Sequence, residues 1–251
     1  MKKFATFFVL VLSLGLFAGP AAPSEPSEWY FMDEDGTVRR EAPGGNVKVS
    51  SARPREVRSS YGEPTPFRWF PVDPSISPEM ENSTPGIWVF NMDNLEHAPL
   101  FIPMELPTRC YEVCVDPREA FLVVCVFSRL MVYSFDGRLQ GEAPGFGPLF
   151  WIDDFRFLYT SCMPGTRRGG RPDADPWKGA AVMQVLHGEG PFEVSVESVM
   201  EPTATADYNA MGLDDGECVI VEHSVPDAGE WEKSQPKIQF NEMRVPLPAA
   251  G

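Results

Sequence analysis

The sequence predicts an all-β, propeller-like fold of four to five blades, with an incomplete or open ring as one form of it. A two-sheet β-sandwich is the alternative. Three observations predict the class. The octet WYFMDEDG at residue 29 recurs in weakened form at 87, 130, 181 and 238. Hairpins that are apolar on both faces lie between the copies. The chain of 251 residues carries 26 Pro and 21 Gly in a 43% hydrophobic composition, which favours many short strands over long helices.

The chain opens MKKFATFFVLVLSLGLFAGPAAP. Lys2 and Lys3 precede an apolar run from Phe4 to Phe17, too short for a comfortable membrane span. Gly19 and Ala21 fit the −3 and −1 positions of a cleavage site, and Ala18 is the other candidate. Residues 1–21 therefore read as a signal peptide and 22–251 as one exported domain, periplasmic or secreted; an uncleaved anchor is the alternative. Nothing later is long and apolar enough to span a membrane. The formal charge of −15 gives a field that repels nucleic acid and anionic lipid.

Each octet reads as a strand entering a tight turn. IWVFNMDN at 87 and LMVYSFDG at 130 keep the rule of WYFMDEDG: mostly apolar residues, a short polar or mixed pair, Asp, then Gly or Asn. Asp-Gly and Asp-Asn suit the positive φ of hairpin turns. AVMQVLHG at 181 has His at the Asp position, and IQFNEMRV at 238 keeps only the strand. Polar return strands follow, so each octet marks an outer hairpin.

The inner hairpins are Tyr111–Val126, Pro148–Thr160 and Asn209–Glu222, each with an acidic turn. Pro66–Pro74 has the same start and a poor second strand. A four-residue loop Asp116–Glu119 places Cys114, Phe121 and Val123 on one face and Val113, Leu122 and Val124 on the other. Burial on both faces requires a sheet covered on both sides, as in a propeller blade.

Apolar strand, Asp-containing turn, apolar strand, then Ile87-Trp88-Val89-Phe90-Asn91-Met92-Asp93-Asn94 resembles the TolB-type propeller repeat. The resemblance covers roughly residues 29–248 and is specific in the octets at 29, 87 and 130. The Ser-Pro-Asp-Gly turn of that repeat is never complete here; Val115-Asp116-Pro117 and Asp214-Asp215-Gly216 are fragments of it. The resemblance implies an architecture more than an activity. The first octet lacks an inner hairpin before it, and NVKVSS at 46–51 is the one short strand available in residues 41–65.

Two long loops join second and third strands, and equivalent loops open on one face of a propeller. Met163–Lys178 gathers Arg167, Arg168 and Arg171 ahead of Trp177. Pro226–Lys237 carries Trp231 and Lys233. Arg can clamp an anionic group and Trp can stack on a ring. These six residues are the candidate ligand-binding set, for a protein partner or an anionic or ring-containing ligand. Two solvated Gly/Pro loops are the other reading.

Other chemistry is thinly represented. Asp33-Glu34-Asp35-Gly36 has the opening of a calcium loop without its remainder, so it reads as a hairpin turn. His97, expected on a rim strand, His187, at a turn tip, and His223 have no ligand-spaced neighbour. There is no Gly-x-Ser-x-Gly elbow, His-Glu-x-x-His or phosphate loop, so no catalytic residue, metal or cofactor is nominated. Five Cys stand at 110, 114, 125, 162 and 218. In the register above Cys110 faces Cys125, a candidate ladder disulfide; five small buried apolar residues is the alternative. The function expected is a non-catalytic binding or scaffolding module. A hydrolase or lyase with carboxylates in a central funnel is the runner-up.

Overall fold

The computed structural model describes residues 26–59, 64–105, 110–126, 128–167, 176–186, 192–203, 206–224 and 239–248. The leader, His187, Arg168, Arg171, Trp231 and Lys233 lie outside the described residues. Five sheets follow one another along the chain. Blade 1 is β1 (Tyr30–Met32), β2 (Val38–Arg40) and β3 (Val47–Lys48). Blade 2 is β4 (Arg55–Glu56), β6 (Phe67–Val72), β7 (Gly86–Asn91) and β8 (Leu100–Pro103). Blade 3 is β9 (Cys110–Val115), β10 (Phe121–Val126), β11 (Arg129–Ser134) and the first half of β12 (Leu139–Trp151). β5 (Arg58–Ser59) runs parallel to β9 at its inner edge. Blade 4 takes the second half of β12 with β13 (Arg156–Arg167), β14 (Pro176–Leu186) and β15 (Glu193–Met200). Blade 5 is β16 (Ala206–Asp214), β17 (Glu217–Ser224) and β18 (Phe240–Pro246). The fold is all-β and propeller-like; a two-sheet sandwich does not form.

Four buried clusters glue neighbouring blades face to face. Tyr30, Val38, Phe70, Trp88 and Phe101 lie between blades 1 and 2. Trp69, Ile87, Val113, Leu122 and Val124 fill the gap between blades 2 and 3. Cys114, Phe121, Val123, Phe157 and Met183 lie between 3 and 4, and Leu158, Val182, Tyr208 and Ile220 between 4 and 5. Alternate residues of β10 therefore serve different clusters, which is why both faces of that strand are apolar. No buried cluster among the described residues joins blade 5 to blade 1.

The octets occupy equivalent places: β1, β7, β11, β14 and β18. Their turns repeat at atomic level. The Asp33 N–H donates to the Thr37 carbonyl at 2.9 Å and the Gly36 N–H to Asp33 at 2.9 Å. A hundred residues later Ser134 donates to Arg138 and Gly137 to Ser134, each at 3.0 Å. Gly36 and Gly137 take φ of 79° and 82°, which a side chain would resist. Asp33 pairs with Arg39 at 2.7 Å, and Asp35 accepts the Thr37 N–H at 2.8 Å. At Asn91 the chain instead makes successive turns through Asn94 and His97. His97 is thus exposed in a loop rather than on a rim strand.

Three expectations are corrected. Pro66–Pro74 is not a hairpin but the single strand β6, whose inner neighbour is the distant β4. NVKVSS gives β3, which pairs outside β2 and supplies no inner strand. Val115 faces Leu122, not Ala120. That slip of two residues preserves both faces, because side chains alternate with period two. An irregularity after Cys125 then sets Cys110 opposite Val126. Cys110 joins the blade 2–3 cluster while Cys125 joins the blade 3–4 cluster, so the two thiols do not face each other. All five cysteines are free and buried.

Candidate functional site

The most distinctive cavity arises where β12 leaves one blade for the next. Its first half pairs with β11 and its second with β13. Gly145 marks the crossing: a Cβ there would lie 2.4 Å from the Tyr159 ring. The ladder then breaks, since Phe146 faces Thr160 while Phe150 faces Leu158. Gly147, Pro148 and Leu149 stand against Tyr159 alone, two residues in excess, and form a bulge. Beside this bulge lies a pocket of about 510 Å³, lined by Arg58, Glu112, Cys125, Val126, Phe146, Gly147 and Pro148.

The polar centre of the pocket is one ion pair. The Arg58 guanidinium meets Glu112 at 3.1 Å; the Arg58 side chain is 70% exposed and that of Glu112 14%. The short strand β5 brings Arg58 alongside Cys114 in parallel register, which places it at the inner edge of blade 3. Glu112 stands opposite Cys125 on β10. Gly147 has no side chain to spare here, because a Cβ would come within 2.8 Å of a Glu112 carboxylate oxygen and 3.7 Å of the Cys125 sulfur. The chain therefore lets backbone approach a carboxylate that any larger residue would displace.

The thiols beside the pocket are poor nucleophiles. Burial pushes Cys125 and Cys114 well above the ordinary thiol value, and the nearby Glu112 charge adds to both shifts. Cys110 is pushed up to about 12, mainly by burial. A thiol held protonated in apolar surroundings packs rather than reacts.

Of the two predicted loops, the described residues include both ends of the first, and Lys178 at one end lies near this pocket. The described ends of the loop Met163–Lys178 are strand: β13 runs to Arg167 and β14 begins at Pro176, with Arg167 opposite Pro176. The two described ends pair with each other, and residues 168–175 lie outside the described residues. Trp177 and Lys178 sit at the loop's end on β14, Trp177 partly buried. The Lys178 ammonium lies 5.8 Å from the centre of the Phe146 ring, a pocket wall. Its backbone N–H is held by Asp207 of blade 5 at 2.9 Å. The second predicted segment, Pro226–Lys237, lies outside the described residues; of the residues flanking it, the Ser224 N–H donates to the Gln239 carbonyl at 3.0 Å. β10 ends at Val126 in the pocket, and β13 and β17, the equivalent second strands of their blades, end at Arg167 and Ser224, where the two predicted loops leave the sheets. The pocket and these two strand ends therefore lie at the same end of the blades.

Sequence reasoning missed Arg58, Glu112 and the 147–149 bulge. The clue was present in Pro144-Gly145-Phe146-Gly147-Pro148, where Gly and Pro interrupt a strand and mark close backbone approach. A carboxylate in the otherwise apolar β9 was the second.

No protein-family model matches the chain, and no curated protein matches it. A solved structure provisionally assigned as a dipeptidyl aminopeptidase IV from Bacteroides ovatus is similar at 10% identity and a TM-score of 0.40, over 78% of this chain. The match spans 36% of that longer chain.

Proposed function

We propose that the protein is an exported, non-catalytic binding module whose ligand enters the pocket beside the 163–178 loop. The observation that supports it is the lining itself. Phe146, Pro148 and Val126 give apolar walls, and the exposed Arg58 guanidinium and nearby Lys178 ammonium give cationic handles. That combination suits a small ligand with a ring and an anionic substituent. The runner-up, a hydrolase or lyase with carboxylates in a central funnel, asks for at least two converging carboxylates. The pocket lining supplies Glu112, already engaged by Arg58, beside thiols that burial keeps protonated. Arg167 and Trp177 of the loop, with Arg168 and Arg171 ahead of Trp177, are proposed to extend the same face, and Trp231 and Lys233 the neighbouring loop.

Thermal unfolding in the presence of a panel of aromatic carboxylates and sugar acids tests this. At least one member should raise the wild-type midpoint. Gly147→Val, which fills the pocket, and Arg58→Ala, which removes its cation, should each abolish the shift. A panel that shifts nothing, or a shift that survives in both variants, overturns the proposal.

A further inference from the structure

Among the described residues blade 5 has three strands, one fewer than each of the three blades before it. In blades 2, 3 and 4 the third strand, β7, β11 or β14, carries an antiparallel fourth strand on its outer edge. β18 holds the third-strand place in blade 5, and among the described residues it pairs with β17 alone. Its outward edge is defined by the ladder. The Ser224 N–H bonds to the Gln239 carbonyl at 3.0 Å, and the register continues without a shift through His223 opposite Phe240 to Glu217 opposite Pro246. By antiparallel alternation Asn241, Met243 and Val245 bond to β17, whereas the backbone groups of Phe240, Glu242 and Arg244 and the Pro246 carbonyl point outward. Phe240 is 66% exposed.

We propose that this edge pairs with the same edge of a second copy of the chain, antiparallel about a twofold axis at Met243. The strand reads Phe-Asn-Glu-Met-Arg-Val-Pro and is self-complementary in that register. Glu242 faces Arg244 of the partner subunit, and Arg244 faces Glu242 of the partner subunit. Phe240 packs against Pro246 of the partner subunit. Every outward N–H meets an outward carbonyl, so the second β18 stands where the fourth strand stands in blades 2 to 4. A slip of two residues in one direction sets Glu242 against Glu242 of the partner subunit. A slip in the other direction sets Arg244 against Arg244 of the partner subunit. Like charges directly opposed select against both. Arg244 already meets Asp214 on its own sheet at 2.6 Å, and its guanidinium has further donors to offer.

The other described rim strands lack this complementarity. β15 carries Glu193 and Glu197 with no cation, β8 is short and ends in Pro103, and β3 has two residues. An exposed strand edge with alternating sign is the kind of surface that adds a strand from outside. The formal charge of −15 opposes assembly at long range, but salt screens it beyond about 8 Å at physiological ionic strength.

Sedimentation equilibrium of the purified chain at physiological salt tests the pairing. Wild type should pass from monomer to dimer with rising concentration. E242R and R244E should each weaken self-association about tenfold or more, since two attractive pairs become repulsive. Mixed together they should form a heterodimer, because every Arg then faces a Glu, and the E242R/R244E double variant should dimerise like wild type. Thermal unfolding near the wild-type midpoint shows that the variants fold. A wild type that stays monomeric, single variants that dimerise undiminished, or a mixture that fails to recover pairing overturns the proposal.

Discussion

Single carboxylates hold the turns of this molecule together. Asp153 accepts the Phe155 and Arg156 N–H groups, each at 2.9 Å, and pairs with the Arg156 side chain at 2.8 Å. Arg156 in turn donates to the Pro248 carbonyl at 3.0 Å, tying the end of the described chain to the β12–β13 turn. Partial burial alone would raise Asp153; the hydrogen bonds and the guanidinium outweigh it and leave its carboxyl below the ordinary 3.8. The sign follows directly. The stabilisation is complete above the unfolded value and is lost as pH falls through the lower native value. Asp153→Asn should therefore cost about 1 kcal/mol near neutral pH, the side chain being partly exposed and screened. The gap between variant and wild type in urea unfolding should narrow as pH drops below about 4. A gap that is constant down to strong acid would show that the charge contributes nothing.

Elements were legible where side-chain alternation and turn chemistry agreed. The Asp215-Gly216 turn is the clearest case: both residues take positive φ, 48° and 78°, as the two-residue hairpin Asp214–Glu217 requires. The faces of β9 and β10 were also readable, because a register slip of two leaves alternation intact. Register itself was not. Asp116 draws the Ala120 and Phe121 N–H groups onto one carboxylate oxygen and lengthens the loop, a choice made by hydrogen bonds invisible to hydropathy. The irregularity after Cys125 then turns Cys110 to the other face. For the same reason the pocket escaped notice: its parts come from β5, β9, β10 and β12, and only the closed ladder brings Arg58 to Glu112. The thiols give the test of this register. A thiol reagent should find no reactive cysteine in the native protein and all five after denaturation without reductant. A denatured count lower by two would mean a disulfide and contradict the register of β9 against β10.

Across the whole molecule, stability is expected to vary with a blade's place in the row. Blade 3 is covered on both faces, by the clusters containing Leu122 and Phe121, whereas the described core of blade 5 lies on one face only. In a stack whose units contact only their neighbours, stability is close to a sum of unit and interface terms, so an end unit can open without unfolding the middle. Amides of β17 should therefore exchange with solvent faster than those of β10, although both strands pair on two sides. Ile220, fully buried between blades 4 and 5, gives the sharper form of the prediction. Ile220→Ala leaves a cavity at that interface and should cost about 2–5 kcal/mol. The loss should appear as faster exchange throughout β16, β17 and β18, with β9 to β11 nearly unchanged under native conditions. Equal acceleration in blade 3 would mean that the molecule opens as one cooperative unit. Blade 5 would then owe its stability to the whole stack rather than to its single interface with blade 4.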